Sequence, residues 1–355
     1  MSESDLEVIE RELSAASGEV AVDDSESSAE AAEEDELSNQ ALSPTDWALS
    51  WISYAAGIAF GRFEVGKADG LGRGDFSPGV GRKLQDYISK DGLLVNDSGQ
   101  PLDLAGRCLK ILEVLLGEKE AAQRIKIAFG EGDSLELLQV WFNRFTGLPK
   151  DSFWKYHFQL YRKRPVYWPF QSPERRYTIW VFHERLTRDT LFQIKNDIIE
   201  PRLRMTERAI VDLRPKAQRD RQARKELDGL LELRDDLAEF SKRLRAVGER
   251  GYGPHIDDGV LLNAAPLHEL LPSWPETKKA WADLEKGEYD WAQQAMEFWP
   301  ERVREKCRTN RSLAIAHGLE ELCEVPKRSR EKEREKRRGR KARNWTTDRG
   351  QMGNG

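Results

Sequence analysis

The run from Tyr161 to Phe182 constrains this 355-residue chain more than any other stretch of it. Three cations lead into Pro165 and an aromatic segment, and a second aromatic segment follows a polar turn that contains Pro173. Short segments rich in aromatic and β-branched residues on either side of such a turn predict a β-hairpin. Cations beside flat rings suit a surface that contacts phosphate and stacks on bases. A buried hairpin, with its rings in the core and its arginines reaching water, fits the same pattern.

The hairpin supplies the candidate nucleic-acid-binding residues. Five of them are cations that suit phosphate contact, and arginine also suits bidentate contact with guanine. Two further residues are rings expected to stack on a base or to pack within the hairpin. The full set is Arg162, Lys163, Arg164, Tyr167, Trp168, Arg175 and Arg176.

The two ends of the chain differ in charge, although the formal net charge is only −5. Residues 1–43 are rich in Glu, Asp, Ser and Ala, whereas residues 327–355 are rich in Lys, Arg and Glu. Neither segment can bury enough apolar area to offset the entropy of the chain, so we predict that both tails are disordered. An acidic tail can bind a partner or mimic DNA, and a basic tail can attract phosphate; each can also be a solvated segment.

Between the tails, helical periodicity predicts a mostly α, α+β protein with one small β-hairpin or sheet element. We expect a helix-rich domain over residues 44–200, which contains the aromatic and basic hairpin. A long antiparallel, coiled-coil-like helical hairpin is predicted over 201–248. A C-terminal loop and helical segment is predicted over 249–326.

The helical hairpin is predicted from apolar spacing and one proline. Apolar residues three and four apart from Leu230 to Val247 form an a/d seam of about two and a half heptads. Pro215 is expected to break or kink the run and so to give two antiparallel arms, because proline disrupts the interior of a helix. The seam is interpreted as an internal spacer or as a docking surface for other proteins.

The sequence lacks the motifs that are typical of several enzyme classes. The Gly-rich segment 66–81 contains no Walker motif, and neither HExxH, GxSxG nor a paired-cysteine zinc pattern occurs in the sequence. The Asn/Asp-Pro-Pro-Tyr/Phe tetrapeptide with which amino-methyltransferases hold a flipped base is also absent. We therefore predict no catalytic residue in this chain.

A metal site has weak candidates only. His255, Asp257, Asp258 and His268 carry the right side chains, but Asp-Asp-Gly is first of all a turn sequence. His157, on an aromatic helical face, is expected to be a packed histidine rather than a ligand. We predict no metal site.

The expected location is the cytoplasm. Cys108, Cys307 and Cys323 are far apart and suit free thiols in a reducing compartment. No signal peptide and no run of about 18 apolar residues occurs, so we expect no membrane span.

Three stretches together resemble a known family. They resemble the adenine-specific DNA methyltransferases of bacterial phage defence, the PglX family of BREX systems and its DISARM-type relatives. The similarity covers about residues 45–325 and keeps the order of the motifs. The stretches are Ile52–Phe63, then Lys163–Trp168 with Tyr177–Phe182, then Asp257–Leu267 with Glu288–Trp291 and Trp299–Arg304.

The resemblance implies the C-terminal half of such an enzyme, where related methyltransferases and type IIG restriction enzymes carry their target recognition region. Because the methyltransferase domain is missing from this sequence, no catalytic role can be transferred to it. The implied function is a DNA-recognition or specificity module for double-stranded DNA. It would act with a separate catalytic methyltransferase subunit that holds S-adenosylmethionine, so no cofactor is expected in this chain. The alternatives are an assembly subunit that docks other defence proteins through the helical hairpin, and an inactive gene fragment.

Overall fold

The computed structural model describes residues 43–63 and 83–324. The interpretations given above for the two tails and for the Gly-rich segment 66–81 lie outside these residues and stay predictions. The described residues divide into two compact units, with the division between Ala282 and Asp283, and each unit is described by itself.

Among the residues that the structure describes, five helices with both ends defined precede the β-hairpin, and side-chain caps begin four of them. Ser43 and Asp46 form a capping box at the first helix, and Asp103, Asp133 and Ser152 cap three later ones. Each cap accepts a hydrogen bond from a backbone N–H that the helix itself leaves unpaired. The helices are α1 (Pro44–Ala59), α2 (Leu104–Leu116), α3 (Glu118–Phe129), α4 (Ser134–Asn143) and α5 (Phe153–Leu160).

The predicted β-hairpin is confirmed. It consists of β2 (Tyr167–Gln171) and β3 (Thr178–Phe182), and β1 (Leu93–Val95) pairs with the other edge of β3. All pairs are antiparallel and the strand order is β1-β3-β2. Pro169 is tolerated in β2 because this strand lies at the edge of the sheet.

Aromatic side chains join this sheet to the helices. Every residue of the three strands is buried. Trp180 of β3 packs edge-on against Phe153 of α5, with ring centroids 5.1 Å apart, and stacks on Phe145 at 5.7 Å. The hairpin is therefore a buried support, and only the segments at its ends reach the surface.

The predicted antiparallel pair of long helices is also present. After the short helix α6 (Thr190–Gln193) and a π-helical turn (Ile194–Ile199), α7 runs from Glu200 to Ala217 and α8 from Arg221 to Glu249. Ser241 Oγ donates to Glu200 Oε1 at 2.7 Å. Arg224 Nε donates to the Ala217 carbonyl at 3.4 Å. Because the first residues of α7 meet the later part of α8, the two helices are antiparallel.

Pro215 does not separate the arms, contrary to the prediction. It lies within the last turn of α7, which ends two residues later. The missing N–H leaves only the Val211 carbonyl without its helical donor, and Val211 is 63% exposed, so water can satisfy it. The break comes instead at Asp220, whose carboxylate accepts from the N–H groups of Gln222 and Ala223 and begins α8.

The apolar seam of α8 has two unequal halves. Leu237, Phe240, Leu244 and Val247 are buried and belong to the main core, which also contains the β-sheet. Leu230, toward the other end of the seam, is only half-buried. The second half of α8 is thus part of the core of the first unit, and its first half continues toward the tip of the helical hairpin.

Shorter elements follow α8. They are a 3₁₀ turn (Ile256–Asp258), α9 (Gly259–Ala264), a second 3₁₀ turn (Ala265–Leu270) and α10 (Glu276–Lys286). Within the second unit lie α11 (Gln293–Phe298), α12 (Pro300–Thr309), α13 (Arg311–Ala316) and a 3₁₀ turn (Glu320–Leu322). Asp290 is buried there and pairs with Arg302 and Lys306 of α12. Among the described helices, none combines the length and the apolar composition that crossing a bilayer requires.

Candidate nucleic-acid interface

The β-hairpin presents its predicted cations at two ends instead of in one patch. Arg162, Lys163 and Arg164 lie just before β2, and we call them the amino-terminal cluster. Arg175 and Arg176 lie in the turn between β2 and β3, and we call them the turn cluster. β2 has five residues, so it separates the two clusters by about 15 Å.

Tyr167 and Trp168 do not lie on the surface. Their exposed fractions are 2% and 0%. Tyr167 stacks on Phe60 at 4.1 Å, and Trp168 stacks on His183 at 5.0 Å and donates from Nε1 to the Pro165 carbonyl at 2.9 Å. Base stacking requires an exposed ring face, which neither residue has in this structure. Hairpin packing is the role that their burial supports.

The amino-terminal cluster is held in an unusual backbone conformation. Arg162 and Lys163 have φ angles of 46° and 65°, in the left-handed region that favours glycine. Arg162 N donates to the Gln159 carbonyl at 3.0 Å, and Lys163 N donates to the Phe158 carbonyl at 2.8 Å. These two bonds are the Schellman arrangement that ends a helix, and its left-handed position is usually glycine. Two cations therefore occupy backbone positions at which glycine would be less strained.

All three side chains of the amino-terminal cluster are exposed. None of them forms an ion pair with a residue of 43–63 or 83–324. Non-glycine residues kept in a strained conformation occur preferentially at functional sites. The arrangement presents three uncompensated positive charges on one short turn.

His157 fixes the path from this turn into β2. The side chain is fully buried, and its Nε2 accepts from the N–H groups of Val166 at 2.8 Å and Tyr167 at 3.0 Å. Burial, and to a smaller degree the charges of Arg62 and His183, holds the pKa of His157 well below its usual 6.5. The ring is thus neutral, and since Nε2 is the acceptor, the proton lies on Nδ1. His157 is a packed residue, as the sequence suggested.

The turn cluster is held by a carboxylate that the sequence did not single out. Asp236 of α8 is 4% exposed and accepts from Ser172 Oγ at 2.5 Å, Glu174 N at 2.9 Å and Arg176 N at 3.2 Å. An acid on the apolar face of α8, one position before Leu237, was the available signal. Its partners lie more than 59 residues away in the sequence, so local patterns could not identify them.

The two arginines of the turn cluster have partners among the described residues of the chain, unlike the cations of the amino-terminal cluster. Arg176 Nη2 lies 2.7 Å from Glu232 Oε2, and both side chains are largely exposed. Arg175 has a φ of 58°, and its Nη2 is 3.4 Å from the Pro272 carbonyl. Exposed ion pairs contribute about 0–1 kcal/mol, so a phosphate can replace Glu232 as the partner of Arg176 at little cost.

The four residues considered for a metal ion differ in their surroundings. His255 N donates to Asn263 Oδ1 at 2.7 Å, and His268 Nδ1 lies 3.1 Å from the Ala265 carbonyl. Asp258 is buried, whereas Asp257 points to solvent. In the part of the chain that the structure describes, no three His, Cys, Asp or Glu side chains are grouped so that they could hold a metal ion.

A groove of about 580 Å³ lies beside α5, close to the amino-terminal cluster. Its most exposed apolar side chains are Leu148 and Leu160, at 60% and 45%. An apolar lining does not suit phosphate, so we do not assign this groove to the nucleic-acid interface. The lining residues are Asp46, Leu49, Leu148, Pro149, Lys150, Tyr156, Gln159 and Leu160.

Two curated proteins are similar to about three fifths of this chain. It is 28% identical over 236 residues to the adenine-specific methyltransferase PglX of Lacticaseibacillus casei, a match that covers 61% of this chain and 19% of that protein. It is 23% identical over 245 residues to the adenine-specific methyltransferase BrxX of Escherichia coli O9:H4, covering 62% and 20%. The chain therefore spans about a fifth of the length of these relatives. No family model matches it.

Proposed function

We propose that this chain is a DNA-recognition or specificity module of a phage-defence adenine-specific methyltransferase. A separate catalytic part holds S-adenosylmethionine and transfers the methyl group. The observation that carries the proposal is the amino-terminal cluster, with three exposed and unpaired cations on a buried aromatic support. The similarity to two adenine-specific methyltransferases favours DNA over other polyanions.

The mechanism that we propose is electrostatic positioning. A cation that neutralises a DNA phosphate releases condensed counterions, which supplies affinity without reading the sequence. The Schellman turn and His157 fix the backbone of the amino-terminal cluster, so little backbone entropy is lost when its side chains bind. Arg175 and Arg176 form a second contact about 15 Å away. Tyr167 and Trp168 support the hairpin from inside.

The test is a charge reversal of the amino-terminal cluster. Arg162, Lys163 and Arg164 are changed together to Glu, and binding to duplex DNA is followed by electrophoretic shift, with and without the catalytic subunit. A matched control changes Lys119, Lys278 and Lys279 to Glu, because these lysines are exposed and lie on other parts of the first unit. We expect the first variant to lose binding and the control to keep most of it. Equal binding by the two variants would show that the site is wrongly assigned.

A second candidate function is assembly of a defence complex, with DNA untouched. It is favoured by two large apolar side chains on α7, Met205 and Val211, which are 46% and 63% exposed. Each of them can contact a protein partner, although at six residues apart they lie on different faces of α7. In that case the chain co-purifies with its partner, and the purified chain shows no salt-dependent binding to duplex DNA.

A further inference from the structure

The tip of the helical hairpin, residues 214–225, carries a concentration of positive charge that the proposed interface does not include. This segment joins the end of α7 to the start of α8. It contains six exposed cations and a single acid, Asp220. The cations are Arg214, Lys216, Arg219, Arg221, Arg224 and Lys225.

Intramolecular pairing does not account for these charges. Farther along the same two helices, cations do have acidic partners, such as Asp97 for Arg202 at 2.6 Å and Glu249 for Arg245 at 2.7 Å. At the tip, none of the six is ion-paired with any residue that the structure describes. The carboxylate of Asp220 is already occupied as the cap of α8, where it accepts from two backbone N–H groups.

Favourable interaction with a helix dipole explains only some of the six cations at the tip. Arg214 and Lys216 lie in the last turn of α7, where a positive charge is favourable. Arg221 and Arg224 lie in the first turn of α8, where a positive charge opposes the helix dipole. Arg221 and Lys225 are also like charges at i and i+4, which destabilises a helix by about 0.2–0.5 kcal/mol. Cations at the start of α8 thus reduce the stability of the helix that carries them.

The composition of the tip suits a phosphate backbone better than a protein partner. Protein interfaces have an apolar or aromatic core that excludes water. The side chains of Ala217 and Ala223 are buried within the tip, and Pro215 is its only other apolar residue. Contact with DNA phosphates needs no apolar core, because side-chain cations and counterion release provide the affinity.

We propose that the tip is a further phosphate-binding surface for double-stranded DNA, an inference that rests on the proposed function. Asp236, which holds the turn cluster, and Arg221, at the start of α8, lie on one continuous helix. At 1.5 Å per residue, their 15 steps separate the two surfaces by about 22 Å. This distance corresponds to roughly six or seven base pairs at 3.4 Å each. The first half of α8 then acts as a rigid spacer between two contacts on the same duplex.

The experiment removes tip charge without disturbing the turn. Arg219, Arg221 and Lys225 are changed together to Gln, which leaves the Asp220 cap and the Arg224 contact in place. Binding to a duplex of about 24 base pairs is measured across a range of salt concentrations. We expect the affinity to fall about tenfold or more, and the slope of log K against log salt to become shallower by about 2 to 3. A duplex stem of about 6 base pairs is shorter than this spacing and can reach the tip and the turn cluster only one at a time. On this stem the difference between the variant and the unchanged protein should shrink.

The control variant and the unchanged protein distinguish a failure of this inference from a failure of the proposed function. Lys119, Lys278 and Lys279 changed to Gln remove the same charge from other surfaces and should leave the slope nearly unchanged. Thermal unfolding should show that the tip variant is at least as stable as the unchanged chain, since it relieves like-charge repulsion. If the unchanged chain binds duplex DNA and the tip variant binds it equally with the same slope, the inference is wrong while the proposed function stands. If the unchanged chain does not bind duplex DNA, the proposed function itself fails.

Discussion

Single residues set how the β-hairpin presents its charges. Arg162 and Lys163 adopt a conformation that glycine would adopt with less strain, and Asp236 gathers three donors from the turn that carries Arg175 and Arg176. Arg162 and Lys163 are kept where local stability favours glycine, whereas Asp236 stabilises the turn that it holds. Substitutions at the two places should therefore change the free energy of unfolding in opposite directions.

Changing Arg162 to Gly should stabilise the fold and weaken DNA binding at the same time. A left-handed conformation at a non-glycine residue costs about 1–2 kcal/mol, so we expect the free energy of unfolding to rise by roughly 1 kcal/mol. Urea unfolding measures the first effect and a DNA titration the second.

The control is Arg164→Gly, because Arg164 has no positive φ. Glycine there removes the same charge but makes the unfolded chain more flexible. This variant should be no more stable than the unchanged protein. A lower stability for Arg162→Gly than for Arg164→Gly would contradict the strain argument.

Changing Asp236 to Asn should loosen the turn cluster. The amide nitrogen cannot accept a hydrogen bond, so at least one of the donors from Ser172, Glu174 and Arg176 loses its partner. We expect a loss of about 1–3 kcal/mol in the free energy of unfolding. Hydrogen exchange at the backbone amides of Glu174 and Arg176 should accelerate. Asp235→Asn is the matched control, since Asp235 is 69% exposed, and it should be nearly neutral.

Two histidines should make stability fall in mild acid. Burial holds the pKa of His157 well below 6.5, and burial with Arg62 nearby lowers the pKa of His183 to about 4. Both folded-state values lie below the unfolded value, so the unfolded chain binds more protons as the pH falls. Their contribution is complete above about pH 6.5 and declines below it, by about 1.4 kcal/mol per pH unit for each histidine.

Urea unfolding at pH 7.5, 6 and 5 measures this decline. In His157→Gln, the free energy of unfolding should fall less steeply as the pH is lowered, because only His183 still contributes to the fall. Stability that stays level or rises between pH 6.5 and 5 would contradict the assignment of both rings as neutral.

At the scale of elements, α8 has one half in the core and one half extending to the tip. Phe240 is fully buried in the main core, whereas Leu230 is half-buried. Phe240→Ala should lower the free energy of unfolding by about 3–5 kcal/mol, because it removes a large buried ring and leaves a cavity. Leu230→Ala should cost well under half of that. Similar losses for the two variants, measured by urea unfolding, would contradict this division of α8.

Elements with a strong local pattern could be predicted from the sequence, and contacts between distant segments could not. The aromatic and β-branched runs around Pro173 indicated β2 and β3, and apolar spacing indicated the two long helices. The position of the break between those helices was wrong, because a proline in an exposed last turn costs little. The burial of Tyr167 depends on Phe60, over 100 residues earlier in the chain. The role of Asp236 depends on a turn some 60 residues away.

The candidate site was likewise predicted only in part. The sequence identified the five cations, all of which are exposed, since their residue types and spacing carry that information. It did not show that β2 places them in two clusters, because that follows from the strand's position within the fold. The tip of the helical hairpin received no functional interpretation, since apolar periodicity drew attention to the seam instead of the charges between its arms.

At the scale of the whole molecule, the first unit is a rigid support for several groups of cations. The sheet, α5 and the second half of α8 share one core, and the amino-terminal cluster, the turn cluster and the tip extend from it. This arrangement fits the proposed function, in which the chain grips and orients duplex DNA while a separate catalytic part reacts with it. Its affinity should therefore be dominated by phosphate contacts and should depend steeply on salt.

The most direct measurement is the binding of the purified, unchanged chain to duplex DNA as the salt concentration is raised. With at least four phosphates contacted, affinity should fall by roughly 10²-fold between about 50 and 200 mM salt, and log K should be linear in log salt. That result would support a module that holds DNA through its cations. Absence of binding at low salt, or an affinity that does not change with salt, would contradict the account.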